Sequence, residues 1–244
     1  MFSAMQIEAA GRWPDDVAVW RVDCAPALVE GAFFAPGKAA YLDDVERARV
    51  LRFRREEDRV RFVLTRSTLR ALLAQRLGVP PATLRFDATP QGRPVLCAPP
   101  GTRMLSFNVS HSGPHALIAI SGVREVGVDV EQYGRVSDWR ALCALACTAT
   151  ECEALERAPP AARAQVFVRI WTAKEALLKT LGIGIAQDLQ TFSVDPCQRE
   201  GTGEPRVETL AASGPGVRLR TLRFCWLDEL AGSEGCVAWA PRWP

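Results

Sequence analysis

Two stretches of this chain put charged side chains where they could act on a phosphate. In Val126-Gly127-Val128-Asp129-Val130-Glu131 the valines alternate with Gly127, Asp129 and Glu131, and successive side chains of a strand point to opposite faces. Both carboxylates then leave one face while the valines pack on the other. Adjacent like charges need a cation, and their oxygens suit Mg²⁺, a hard ion that commonly joins one or two carboxylates to substrate phosphates. The second stretch is Trp171-Thr172-Ala173-Lys174-Glu175-Ala176-Leu177-Leu178-Lys179. Residues four apart on a helix are separated by about 40° around the axis, so Trp171, Glu175 and Lys179 form one stripe. Exposed faces rarely carry an indole, which sets Glu175 and Lys179 in a packed wall.

A third segment, Asn108-Val109-Ser110-His111-Ser112-Gly113, ends a strand in hydroxyls, an imidazole and a glycine, all able to donate to an anion. Each of the three has a plainer reading: a strand with a polar solvent face, an i,i+4 surface pair, a satisfied turn. A hydrolase is disfavoured, because no G-x-S-x-G surrounds Ser110 or Ser112 and a sequence-adjacent His seldom has triad geometry. A glycine-rich nucleotide loop is missing too, since Gly182-Ile183-Gly184 follows a helical pattern instead of opening one.

The elements that must position these residues follow from periodicity. Val17 to Asp23 alternates as a strand, and the Pro/Gly-dotted segment to Lys38 reads as loop. Asp43 to Leu77 is helical, with 10 Arg facing 6 acids. Arg59, Arg66 and Arg70 share a face there, either solvated or turned to an anion. Residues 86–104 hold turn chemistry around Pro90-Gln91-Gly92-Arg93-Pro94. Strands are expected at 106–110, 116–121 and 125–131, helices at 139–147, 150–157 and 161–181, and strands again at 191–195, 217–227 and 236–240. This order indicates α+β in two halves, 1–122 and 123–244, with no direct sequence repeat between them.

Bulk properties narrow the class. The 244 residues are 48% hydrophobic and carry 30 Lys+Arg against 28 Asp+Glu, a net charge of +2. That is enough chain for a real core and too balanced for a nucleic-acid coat. The eight cysteines form no C-x-x-C pair and only two histidines are present, so no zinc cluster is expected. Cys143 and Cys147, one helical turn apart among Ala and Leu, read as packing. The opening residues lack a signal-peptide pattern, and the longest uncharged stretch, 104–123, contains Asn108, His111 and Pro114. The expectation is a cytoplasmic protein outside the membrane.

Taken together the motifs resemble the surfactin-type 4′-phosphopantetheinyl transferases. The likeness runs from about Val45 to Val194, with F-N-V-S-H-S-G (107–113), V-G-V-D-V-E (126–131) and W-T-A-K-E-A-L-L-K (171–179) in the family's order. The resemblance implies a pseudo-twofold duplication of two similar α+β halves with coenzyme A in the cleft between them. It implies a reaction dependent on Mg²⁺, with Mn²⁺ as a substitute, in which a serine of an apo acyl or peptidyl carrier protein attacks the coenzyme's β-phosphate. Phosphopantetheine is transferred and adenosine 3′,5′-bisphosphate leaves. Carried over by position, Asp129, Glu131 and Glu175 would hold the metal, and Glu175 would serve as base for the carrier serine. Lys174 and Lys179 would contact the phosphates, and Asn108, Ser110 and His111 would belong to the phosphate-contacting segment. Gly92 and Arg93 would lie beside the adenine nucleotide and Arg49 at the 3′-phosphate. Thr172 stands where the family often has serine. Glu46 stands at an often basic position, which leaves that contact to Arg47 or Arg49.

A carboxylate among so many cations is expected to have its pKa lowered, which favours metal-assisted ionisation of the serine over Glu175 acting alone. The Arg-rich 43–76 segment offers an acidic carrier one dock, and the duplicated architecture suggests a monomer. Two rival readings are a catalytically silent coenzyme A or carrier binder of the same fold and a coenzyme A-dependent acyltransferase using His111 as base.

Overall fold

The computed structural model describes residues 4–25, 41–90, 92–97, 104–136, 138–183, 189–198, 201–208 and 218–243. Most of the loop expected before Lys38, Gln91 and Gly184 lie outside the described residues. Strands β1 (Ala4–Ile7) and β2 (Val17–Asp23) are followed by helices α1 (Asp44–Arg52) and α2 (Glu56–Leu77) and the short pair β3 (Phe86–Ala88) and β4 (Pro94–Leu96). Then come β5 (Ser106–Ser112), β6 (His115–Ser121), β7 (Arg124–Gln132), α3 (Trp139–Ala146), α4 (Ala149–Arg157) and α5 (Arg163–Leu181). The chain closes through β8 (Phe192–Ser193), β9 (Arg206–Val207), β10 (Arg223–Leu227) and β11 (Ser233–Pro241).

The duplication is visible in the strand order. One sheet runs β1-β2-β6-β5 and the other β10-β11-β7. In one half β2 pairs antiparallel with β6, which pairs antiparallel with β5; in the other β7 pairs with β11, which pairs with β10, and β1 is an extra edge strand on β2. A long helix lies between β2 and β6 and between β7 and β11 in sequence, α2 packing on one sheet and α5 on the other. The sheets meet through a shared core in which Val17, Val19 and Leu117 face Val126, Val128 and Val130. All three valines of β7 are fully buried. Burying each contributes roughly 2 kcal/mol, and slipping the register by one residue would bury Asp129 and Glu131 against that core instead.

The expected helix over 43–77 is broken. Asp43 caps α1 through a capping box with Glu46. Phe53 then turns extended and meets the Phe62 ring at 5.4 Å, while Glu56, Glu57 and Asp58 begin a new first turn that favours negative charge. Residues 86–96 form a hairpin instead of turns alone, and the strand expected from Val217 starts only at Arg223. Gly182 ends α5 in the left-handed region, as its place after Leu181 suggests. No helix among the described residues is long and apolar enough to cross a membrane.

Candidate active site

The catalytic candidates assemble where β5, an edge of one sheet, runs beside β7, an edge of the other. The two are joined by side chains. Ser106 Oγ accepts from the Val126 N–H, Asn108 Oδ1 from the Val128 N–H and Ser112 Oγ from the Gln132 N–H. The three serine hydroxyls of β5 donate to the acids of β7: Ser106 to Glu125, Ser110 to Asp129 at 2.7 Å and Ser112 to Glu131 at 2.9 Å. This polar stripe at every second residue, 106 to 112, is a period of two in the sequence, but its joining role depends on β7, a partner that the period does not name.

Behind β7 lies α5, brought close by Gly127. A Cβ at that position would stand 2.2 Å from the Ala176 carbonyl oxygen and 2.6 Å from Thr180 Oγ1. Only hydrogen fits, so helix and strand approach far enough for their acids to meet. Lys179 Nζ lies 2.6 Å from Asp129 Oδ1, 3.5 Å from Glu175 Oε2 and 3.3 Å from Ser110 Oγ. Acids from a strand and a distant helix therefore reach one atom.

Charge at this centre is unbalanced. Asp129 and Glu175 are only 2% and 5% exposed. Burial, together with the Asp129 and Glu131 charges, pushes the Glu175 carboxyl up to about 7 despite Lys179. Burial and Asp129 raise Glu131 as well. The expectation of a lowered carboxylate pKa is thus reversed, because two buried acids and the half-buried Glu131 crowd one nearby ammonium. Burial opposes the charge on Lys179, yet Asp129 and Glu175 outweigh it and hold its pKa above the ordinary range.

This donor set fits a divalent ion: hard oxygens, excess negative charge, and an Asp129 Oδ2 that is buried without a hydrogen-bond partner. Among the described residues no three potential ligands are yet gathered at binding distance; the ammonium of Lys179 stands between them.

Beside this centre, Arg49, Arg66, Gly92, Val109 and His111 line a cavity of about 180 Å³ floored by Phe62. The guanidinium carbons of Arg49 and Arg66 lie 5.1 and 5.7 Å from the Phe62 ring centroid. Arg66 belongs to the arginine face expected to be either solvated or turned to an anion, and it lines this cavity. Glu46 holds it at 3.2 Å and Arg70 at 2.7 Å, so an acid at this position aligns the cavity's arginine. Arg47 pairs instead with Asp44. Arg70 is completely buried on the carboxylates of Glu46 and Asp43 and the carbonyls of Pro81 and Leu84, which keeps it from solvent. Enclosure by the cleft wall, with Arg61 and Lys179 nearby, lowers the His111 pKa although the residue keeps solvent contact.

Four expectations need correction. Lys174 cannot touch a phosphate: its fully buried ammonium holds Glu151 at 2.6 Å and the carbonyls of Ala146 and Leu189. Strand alternation separates Ser110 from His111, sending the first to Asp129 and the second to the arginine cavity. Asn108 is buried and spends its carbonyl on β7. Arg93 directs its guanidinium to protein carbonyls, at 2.9 Å from Lys179 O and 3.0 Å from Phe107 O. Thr172, standing in for serine, gives its hydroxyl to the Val168 carbonyl one turn back.

A carboxylate cluster whose oxygens suit a divalent cation, beside a basic cavity with an aromatic floor, fits chemistry on a phosphate ester or anhydride. Sequence comparison names the family. Residues 37–122 match the model of the 4′-phosphopantetheinyl transferase N-terminal region, and residues 125–226 match the 4′-phosphopantetheinyl transferase superfamily. The 4′-phosphopantetheinyl transferase HetI of Nostoc sp. is 36% identical over 92% of this chain and 86% of its own. The phosphopantetheinyl transferase of Thraustochytrium sp. is 32% identical over 87% and 78%. The 4′-phosphopantetheinyl transferase of Bacillus subtilis is 28% identical over 61% and 64%. The chain belongs to the 4′-phosphopantetheinyl transferase family, enzymes that use coenzyme A, typically with a divalent metal, to place phosphopantetheine on carrier proteins.

Proposed function

We propose that this chain is a surfactin-type, Mg²⁺-dependent transferase that carries the phosphopantetheine arm of coenzyme A to the serine of an apo acyl or peptidyl carrier protein. The observation carrying this reading is the convergence of Asp129 and Glu175 on the single Lys179 ammonium, with Ser110 from the other half at the same point. Asp129, Glu131 and Glu175 would hold the ion, which when bound polarises the pyrophosphate and neutralises charge developing on it. Lys179 would bind the phosphate under attack. Arg49 and Arg66, with His111 and the backbone at Gly92, would hold the 3′-phosphate and adenine nucleotide in the cavity. Glu175 would take the proton of the carrier serine, directly or through a water, a transfer that suits a carboxyl titrating near neutrality.

We also propose two halves divided at 122/123, between β6 and β7, and a cytoplasmic monomer. In support, the acids, the lysine and the seam hydroxyls all come from one chain, and the described cysteines are unpaired.

The test is to incubate the protein with coenzyme A, Mg²⁺ and a panel of apo carriers from fatty-acid, polyketide and nonribosomal peptide systems. One phosphopantetheine added per carrier, seen by intact mass, is the expected result. Unmodified carriers throughout would favour the silent binder. Supplied with acetyl-coenzyme A, the enzyme should load the acylated arm whole; release of free coenzyme A would instead indicate an acyltransferase.

Metal affinity should depend on pH with a definite sign. A ligand carboxylate must be deprotonated, and Glu175 holds its proton up to about 7. Calorimetric titration with Mg²⁺ should therefore show affinity falling about fivefold from pH 7 to pH 6. Equal affinity at both would remove Glu175 from the ligand set.

A further inference from the structure

The hairpin between β3 and β4 sends Arg93 into the seam, where its guanidinium meets three separate elements. Nη1 donates to the Lys179 carbonyl in the last turn of α5 at 2.9 Å. Nη2 donates to the Phe107 carbonyl of β5 at 3.0 Å and reaches the Val126 carbonyl of β7 at 3.4 Å and Ser106 Oγ at 3.5 Å. The last carbonyls of a helix have no partners within it, and a cation there also meets the negative end of the helix dipole. Lys179 O is such a carbonyl, and it belongs to the residue whose ammonium stands among the acids. The planar fork of arginine can bridge acceptors in different directions, whereas a lysine ammonium acts as a point charge. For a coenzyme phosphate to bind these Nη hydrogens it would have to displace the protein carbonyls that now hold them.

We propose that Arg93 is a positioning residue: it clamps both seam strands to the end of α5 and so fixes Lys179 and Glu175 relative to the nucleotide cavity. The proposal rests on the transfer reaction assigned above to this cleft. Arg93 itself touches no reacting atom; it acts through the backbone of Lys179.

Arg93→Ala and Arg93→Lys should separate this role from a direct nucleotide contact. In steady-state transfer to a fixed apo carrier, both variants are expected to lose at least about tenfold in kcat, with KM for coenzyme A within twofold of wild type. A nucleotide contact predicts the opposite: KM rising about tenfold in Arg93→Ala at unchanged kcat, with Lys restoring it. Either that pattern or full recovery of kcat by Lys overturns the clamp. Hydrogen exchange supplies a readout that does not depend on turnover. The Gly182 and Ile183 amides, bonded to the Lys179 and Leu178 carbonyls, should exchange faster in Arg93→Ala while amides of β11 stay protected. Unchanged exchange at the end of α5 would also overturn it. Should the wild-type protein modify no carrier, the transfer reading fails, while the exchange experiment still decides whether Arg93 holds the helix end.

Discussion

Asp129→Asn is expected to abolish transfer, with kcat down at least about a thousandfold, or roughly 4 kcal/mol of transition-state stabilisation, in a protein that still folds. Asparagine keeps the shape and an oxygen for the Ser110 hydroxyl now bound at 2.7 Å, so the seam survives. What disappears is one of the three negative charges that would hold a divalent ion. Folding stability should not suffer, because the Asp129 charge raises both Glu131 and Glu175, and removing it relieves repulsion among buried acids. Lys179 retains Glu175 as a partner. Glu175→Gln should behave alike. Intact mass of the carrier measures the loss, and calorimetric melting checks the fold. Wild-type turnover in both variants would refute the metal assignment. A variant that fails to melt cooperatively would instead show these acids to be structural.

Gly127→Ala should damage activity and stability together. The new methyl would stand 2.2 Å from the Ala176 carbonyl oxygen and 2.7 Å from the Thr180 nitrogen, both backbone atoms that no rotamer change can move. The helix must withdraw from the strand. Overpacking of this kind costs about 1–3 kcal/mol, which in a chain this size lowers the melting temperature by roughly 3–10 °C. Withdrawal also carries Glu175 and Lys179 away from Asp129, so transfer should fall by about a hundredfold even where most of the protein remains folded, a misplacement effect. A variant that melts and turns over like wild type would mean that α5 has slack at this contact. Activity lost with the melting temperature unchanged would show that the helix moves without cost.

Strong periodicity made much of this legible. The alternating valines around Asp129 predicted β7 and its carboxylate face, and Val17 to Asp23 matched β2 residue for residue. The duplication was invisible residue by residue, because it lies in strand order and helix placement, which unlike sequences satisfy equally well. The short strands escaped for want of length: β1 is half exposed, and β3 and β4 have three residues each among prolines and turn residues. Helix and strand geometry also separate some neighbours: Lys174 lies about 140° around the helix from Lys179, and Ser110 and His111 leave opposite faces of their strand. Arg93 and Arg66 are different cases. Their partners, the Lys179 carbonyl and Glu46, come from sequence-distant elements, and no local pattern announces them.

The joint between the halves has one more consequence. Strands at the rim of a sheet carry unpaired amide groups that invite another chain to add itself. Here the β7 rim is covered by serine and asparagine side chains of β5. Protection from self-association and the aim of the acidic groups are thus entrusted to alternate side chains of one strand, with Ser106 and Ser112 serving both, and a change that frees those amides would cost the enzyme solubility as well as speed.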